Sequence, residues 1–318
     1  MKCSLQMGVS NPLRRLTLTC GRTRASIPIQ DPADFMSATE LTATAYLVDI
    51  GLNLAHDSFD ADRDAVIQRA LSAQVNRMLI TGSSIASTQR ALQLVQQWPD
   101  LFRCTAGIHP HHAIDLDVSA SEQLNELARH DDVVAVGECG LDYFRNFSPA
   151  DVQRSAFQQQ LALAAKIGKP VFLHQRDAHD DFVAILREFR ERVSGGVAHC
   201  FTSGLDEARA YLDLGLYVGI TGWICDERRG QHLAEVVKFI PQDRILIETD
   251  APYLLPRDIR PKPNTRRNEP MYLPQVLKAI AAARGESVEE LAVATTRNAE
   301  TLFGWPASDE TRISQGSK

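Results

Sequence analysis

Four residues able to hold a cation stand at the ends of short apolar runs: Glu138 after VVAVG, His174 after PVFL, His199 after GVA, and Asp250 just past Ile245 to Ile247. A carboxylate handed to the end of a buried run needs a cation, a basic side chain or a proton as partner, because burying a lone charge is costly. One such residue alone would pass for a polar group satisfied by its neighbours. Four at corresponding positions describe a single metal site spread over the ends of four parallel strands. Neutral imidazoles with hard carboxylates suit Zn²⁺, Mn²⁺ or, with more water in the shell, Mg²⁺. Such an ion lowers the pKa of water from about 15.7 towards about 7 to 9 and stabilises charge developing on a phosphoryl or carbonyl oxygen. Asp250 could bind the ion or accept the water's proton, so Asp250 and Glu138 are the catalytic candidates.

Around these lie residues suited to holding a substrate. The turn GIHPHHA sets His109 and His111 two residues apart, facing one way in extended chain; metal ligation, phosphate contact and plain solvent exposure are all open to them. Asp142, Arg176 and Asp177 follow the Glu138 and His174 runs and carry the same ambiguity. The stretch RDIRPKPNTRR holds five cations, Arg257, Arg260, Lys262, Arg266 and Arg267, against the single acid Asp258. Guanidinium groups there, Arg257, Arg266 and Arg267 above all, could clamp phosphates. Phe201, Trp223 and Tyr253 fall at strand ends where rings could stack on bases, Trp223 most plausibly.

These positions make sense only on a scaffold that gathers strand ends. From Tyr46 the chain alternates apolar strands (YLVDIGL, RMLITG, FRCTAGI, VVAVG, PVFLH, GVAH, LYVGITG, RILIE) with helically spaced segments. The clearest helix spans Ser148 to Gly168, with Ser148 as N-cap, Pro149 in the first turn and Gly168 as terminator. Eight such strands predict an α/β fold, a closed (β/α)₈ TIM barrel over residues 46–306, with catalysis at the C-terminal strand ends. Helices over 270–284 and 287–303 follow the last strand as an addition to the barrel. Residues 1–45, where Lys2, Arg14, Arg15, Arg22 and Arg24 precede the first acid, Asp31, are expected to be a disordered extension, and 307–318 a polar tail. A net charge of −6 argues against a generally basic nucleic-acid wrapper but leaves room for the local cationic patch. The six cysteines lack C-x-x-C spacing and are expected to be small buried side chains. No run approaches the length of a membrane span, which predicts a soluble cytoplasmic protein without a membrane partner, as a monomer.

The stretches GIHPH, VGECGLD, FLHQRD, AHCF, GITGWICDERRG, ETDAPYLLPRD and RRNEP, in this order between Leu47 and Phe303, resemble the TatD family of metal-dependent deoxyribonucleases, amidohydrolase-type barrels. The resemblance implies a hydrolase that uses Mg²⁺ or a similar ion to remove nucleotides from the 3′ ends of DNA, with single strands and RNA also accepted. It implies Glu138, His174, His199 and Asp250 as the metal-site residues and His111 as a phosphate contact. One departure stands out: most relatives open with a His-x-His pair on the first strand, whereas here Gly51 and Asn53 occupy those places. One ion, held by Glu138, His174 and His199 with help from Asp250, is therefore expected rather than two. An amide, lactone or aminoacyl-ester hydrolase uses the same metal chemistry on another bond, and a non-catalytic nucleic-acid or protein-binding barrel is a third reading.

Overall fold

A computed structural model describes residues 46–305 of the chain. The expected extension over 1–45 and tail over 307–318 lie outside the described residues. Eight parallel strands run side by side in chain order: β1 (Leu47–Leu52), β2 (Val75–Ile80), β3 (Phe102–Ala106), β4 (Val133–Asp142), β5 (Val171–Arg176), β6 (Gly196–Ala198), β7 (Tyr217–Ile220) and β8 (Ile245–Ile247). The helices between them are α1 (Arg63–Ser72), α2 (Ile85–Gln97), α3 (Val118–Ala128), α4 (Ala150–Ile167), α5 (His179–Phe189), α6 (Leu205–Asp213) and α7 (Leu233–Phe239), with α8 (Leu273–Arg284) and α9 (Val288–Phe303) after the last strand. The sheet comes round on itself where Leu52 bridges Ala251, Asp250 N–H donates to Gly51 O (2.8 Å) and Asn53 N–H donates to Ala251 O (2.8 Å). The expected (β/α)₈ barrel is the fold observed.

Two-residue periodicity builds this barrel. Val48, Ile50, Leu79, Ala135, Phe172, Val197 and Leu246 pack together inside it, where Ala299 and Phe303 of α9 and Trp305 join them. Their sequence neighbours, among them Leu47, Met78, Ile80, Val171, Leu173, Ile245 and Ile247, face the helices. The same parity carries Phe172 to His174, Val197 to His199, and Leu246 through Glu248 to Asp250, so these side chains inherit the interior direction at the C-terminal rim.

β4 is the exception, and it decides the position of Glu138. Counting from the interior Ala135, residue 138 should point outward. Four residues from Val136 to Cys139 instead oppose three from Val171 to Leu173, so Gly137 and Glu138 together face Phe172 in a bulge. Gly137 adopts φ +144°, and a Cβ there would stand 2.1 Å from Phe172 O, so only glycine permits the step that turns Glu138 inward. β4 then continues to Asp142, five residues beyond the run VVAVG.

One cap differs from expectation. Pro149, not Ser148, is the N-cap of α4; the Ser148 hydroxyl instead donates to His111 O (3.1 Å) and accepts from Ile114 N–H (3.2 Å), tying the GIHPH turn to the start of the helix. Gly168 does end the helix, in the left-handed conformation at φ 72°. Cys104, Cys139, Cys200 and Cys225 are free thiols, three of them buried.

Candidate metal centre and active site

One carboxylate oxygen is the hub. Glu138 Oε1 lies 2.8 Å from His199 Nε2, 3.0 Å from His174 Nδ1 and 3.3 Å from His109 Nε2. Burial pushes the Glu138 carboxyl up, but His109 and His199 beside it more than offset this and hold its pKa well below the ordinary carboxylate range. Burial also lowers the imidazole of His199, yet Glu138 and Glu248 leave it well above its usual value, and Asp142 and Glu138 raise His174 in the same way.

The outer nitrogens of the two ligand candidates decide what their inner nitrogens can do. His199 Nδ1 faces Glu248 Oε2 at 3.3 Å, so a proton held there leaves Nε2 with its lone pair towards the centre. His174 Nε2 is buried without a well-formed hydrogen bond, and its nearest carboxylate is Asp142 Oδ2 at 3.4 Å, which favours a proton on that side and a lone pair on Nδ1. His109 is different. Its Nδ1 accepts from His111 N–H (3.1 Å), and burial drops its pKa to about 4, so its one proton sits on Nε2, directed at Glu138. Ligand-forming atoms of His109, Glu138 and His174 lie within 4.8 Å of one another. By its tautomer, however, His109 serves the centre better as a hydrogen-bond donor to Glu138 than as a metal ligand.

Asp250 comes to the same rim from the far side of the barrel. Asn53 Nδ2 donates to its Oδ1 (3.1 Å), and burial, partly opposed by His199, pushes its carboxyl up to about 7. Gly51 has a definite reason to be glycine. A Cβ at residue 51 would stand 2.1 Å from Glu248 Oε2, and one at Gly219 would stand 2.6 Å from Glu248 Oε1. The fully buried Glu248 thus occupies the space a first-strand side chain would need, and its carboxylate also accepts the Cys200 backbone N–H. Sequence reasoning passed over Glu248. The signal was present in Leu246, Glu248 and Asp250, which alternate onto one face.

His111 does not reach Glu138; its Nε2 lies 2.8 Å from Asp142 Oδ2. Asp142 is therefore a junction, with Oδ2 between His111 and His174 and Oδ1 accepting from Arg145 N–H (2.8 Å). Its pKa is held well below the usual carboxylate range by His174 and by that backbone bond, against the effect of burial. The basic loop divides. Arg267 bonds Asp62 (2.8 and 2.7 Å), Glu269 (2.8 Å) and Ser58 O (2.7 Å), a network shared with Arg69, so it braces α1 instead of presenting a clamp. Arg257 lies exposed near Glu227 (3.4 Å), and Lys262 and Arg266 are exposed. Arg176 lies over the ring of Phe144 at 3.9 Å. Of the aromatics, Phe201 is core, Trp223 is half-buried with Arg229 over its face at 4.3 Å, and Tyr253 is 51% exposed. A groove of about 320 Å³ lined by Asn53, His56, Thr81, Ser83 and Arg90 opens beside Asn53.

Residues 48–304 match the family described as TatD related DNase. A protein of Pantoea vagans named 3′-5′ ssDNA/RNA exonuclease TatD is 51% identical over 81% of this chain and 99% of its own length, and one of the same name from Klebsiella pneumoniae is 49% identical over 81% and 98%. Among solved structures, a TatD homolog from Escherichia coli superposes with a TM-score of 0.76 at 28% identity, over 83% of this chain and all of the other. A TatD family hydrolase from Entamoeba histolytica gives 0.76 at 26% identity, over 83% and 99%.

Proposed function

The chain belongs to the TatD-related DNase family, and on that premise we propose that it is a metal-dependent phosphodiesterase removing nucleotides from the 3′ ends of single-stranded DNA and RNA. The observation that carries the reading is the pair of imidazoles whose inner nitrogens meet at Glu138 while carboxylates face their outer ones. That donor set fits one divalent cation. Glu138, His174 and His199 would hold it with Asp250 at the edge, and hard oxygens beside imidazoles suit Mg²⁺, with Mn²⁺ or Zn²⁺ as alternatives for metal analysis to distinguish. When bound, the cation neutralises charge on the scissile phosphate and makes a water easier to deprotonate.

The chain's own residues do the rest. Asp250 takes the proton of the attacking water: a carboxylate at the rim beside the cation site can serve as base, and Asn53 on Oδ1 leaves Oδ2 for the transfer. Glu138 meets both imidazoles at the point where the three would share the cation, and His109 donates to the Glu138 carboxylate from the third side. Glu248 and Asp142 hold the rings in orientation, which is what outer-shell carboxylates do for metal-binding histidines. His111, fixed on Asp142, contacts the phosphate, and Arg176, Arg257 and Arg266 neutralise the following backbone, while Arg267 serves the scaffold. None of the described helices is long and apolar enough to cross a membrane.

The test is digestion of 3′- and 5′-labelled single-stranded DNA across Mg²⁺, Mn²⁺ and Zn²⁺, beside metal analysis of the purified protein. Stepwise loss from the 3′ end, abolished together with stoichiometric metal in Glu138→Gln, is the expected result. A protein that binds metal normally and leaves the strand intact refutes it, and a substrate screen then turns to amides, lactones and aminoacyl esters.

A further inference from the structure

The turn after β4 leaves two large rings in water beside the candidate centre: Phe144 is 55% exposed and Phe147 is 67% exposed. Single exposed apolar side chains are ordinary on a protein surface. These two differ in how they are held. Asp142, which faces His111 and His174 through Oδ2, grips the turn through Oδ1 at Arg145 N–H (2.8 Å). Gln153 of α4 fixes the Asp142 backbone from beneath, donating to Asp142 O (3.1 Å) and accepting from its N–H (2.8 Å). The Tyr143 hydroxyl is bound to Asp181 (2.6 Å). One carboxylate therefore sets both the histidines of the mouth and the turn that bears the rings.

Each ring also carries a cationic or imidazole companion from the mouth. The Arg176 guanidinium lies 3.9 Å from the Phe144 ring centre, and the His111 ring meets Phe147 edge-on at 4.7 Å. Exposed aromatic faces interleaved with Arg and His match a ligand that offers flat π-faces and negative charge in alternation, which is the chemistry of a single-stranded polynucleotide. A purely apolar protein partner would leave the Arg176 charge uncompensated in the contact.

We propose that Phe144 and Phe147 form a base-stacking platform on the rim, gripping bases of the strand whose 3′ end is being cut. The inference rests on the nuclease reading and adds to it how the strand is held without regard to its sequence, since every base presents a π-face. The phosphate between stacked bases then falls beside Arg176 and His111.

The experiment uses the full chain in Mg²⁺, with Phe144→Ala, Phe147→Ala, the double variant and Phe147→Trp. Binding of a fluorescent oligothymidylate capped by 3′ phosphorothioate linkages is read by anisotropy. Cleavage of the uncapped strand is read as KM and kcat, and both series are repeated on a strand with abasic sites at its 3′ end. Both side chains are more than half exposed, so the thermal unfolding midpoint serves as the check on folding. Each alanine should raise Kd and KM about tenfold on the base-bearing strand with a much smaller change in kcat, the loss should vanish on the abasic strand, and Phe147→Trp should bind as tightly as the parent. Equal Kd for parent and double variant, or an equal loss on abasic and base-bearing strands, overturns the platform while the nuclease reading stands if the parent still cuts. Weakened binding in the variants of a parent that never cuts leaves the platform and sinks the nuclease reading. A parent that neither binds nor cuts sinks both.

Discussion

Replacing Gly51 by alanine adds a single methyl group, and the structure says where that group must go. Gly51 is not among the residues with positive φ, so the backbone accepts alanine without strain and the effect is steric alone. The new Cβ would lie 2.1 Å from Glu248 Oε2, while on the other side the space beside Gly219 is closed by Oε1, 2.6 Å from where a Cβ there would stand. The carboxylate is thus pinched between two glycines and bonded to the Cys200 backbone and to His199 Nδ1 (3.3 Å), so it cannot yield without loosening both contacts. Overpacking of a full site costs about 1–3 kcal/mol. Loosening hydrogen bonds of a buried charge adds about 1–3 kcal/mol, so Gly51→Ala should lose about 2–6 kcal/mol of unfolding free energy. Because Glu248 orients the His199 ring, metal affinity should fall about 10- to 100-fold as well. Urea unfolding measures the first quantity and calorimetric metal titration the second. Shortening the side chain with Glu248→Asp in the Gly51→Ala background should recover part of the stability. Unfolding within about 0.5 kcal/mol of the parent together with unchanged metal affinity would show that Glu248 moves freely, and the account of Gly51 and His199 would be wrong.

His174 and His199 have raised pKa values in the metal-free protein, so a cation must displace their protons; metal affinity should climb with pH through and above the ordinary imidazole range near 6.5, with proton release visible as buffer-dependent binding enthalpy. A pH-independent affinity would contradict this ligand assignment. Asp49, fully buried against Thr249, has its carboxyl pushed up from 3.8 to about 7, so between those values the folded chain holds a proton the unfolded chain has lost. Stability on this account is greatest below the unfolded value and declines as pH rises through the window. Asp49→Asn should remove that slope and gain on the parent by up to about 4 kcal/mol above pH 7, read from unfolding at several pH values. Arg267→Ala should destabilise by about 1–3 kcal/mol through loss of the partly buried Asp62 and Glu269 bonds while leaving the salt dependence of strand binding alone. Arg266→Ala should do the reverse, flattening the logarithmic salt slope by about 0.7; the opposite pattern would restore Arg267 to the substrate clamp.

The barrel was legible because it is written in local periodicity. Eight apolar runs alternating with helical segments allow few other folds, and the interior parity of Phe172, Val197 and Leu246 carries over to His174, His199 and Asp250. The candidate ligand types His174, His199 and Asp250 at strand ends were legible for the same reason. Ser148 was misread because its hydroxyl serves a chain segment 37 residues away, which no cap pattern announces.

Residue types and their period along the strands were thus enough to place a carboxylate–imidazole cluster at one rim of a (β/α)₈ scaffold. Only the tertiary structure turned Glu138 inward, because a one-residue bulge at Gly137 reverses the parity that counting predicts. Closing the barrel brought Glu248 against Gly51, and packing of the loop after β8 committed Arg267 to Asp62, 205 residues away. Periodicity is a property of neighbours along the chain. Which oxygen faces which nitrogen is settled by register and closure, and these exist only once distant strands have met.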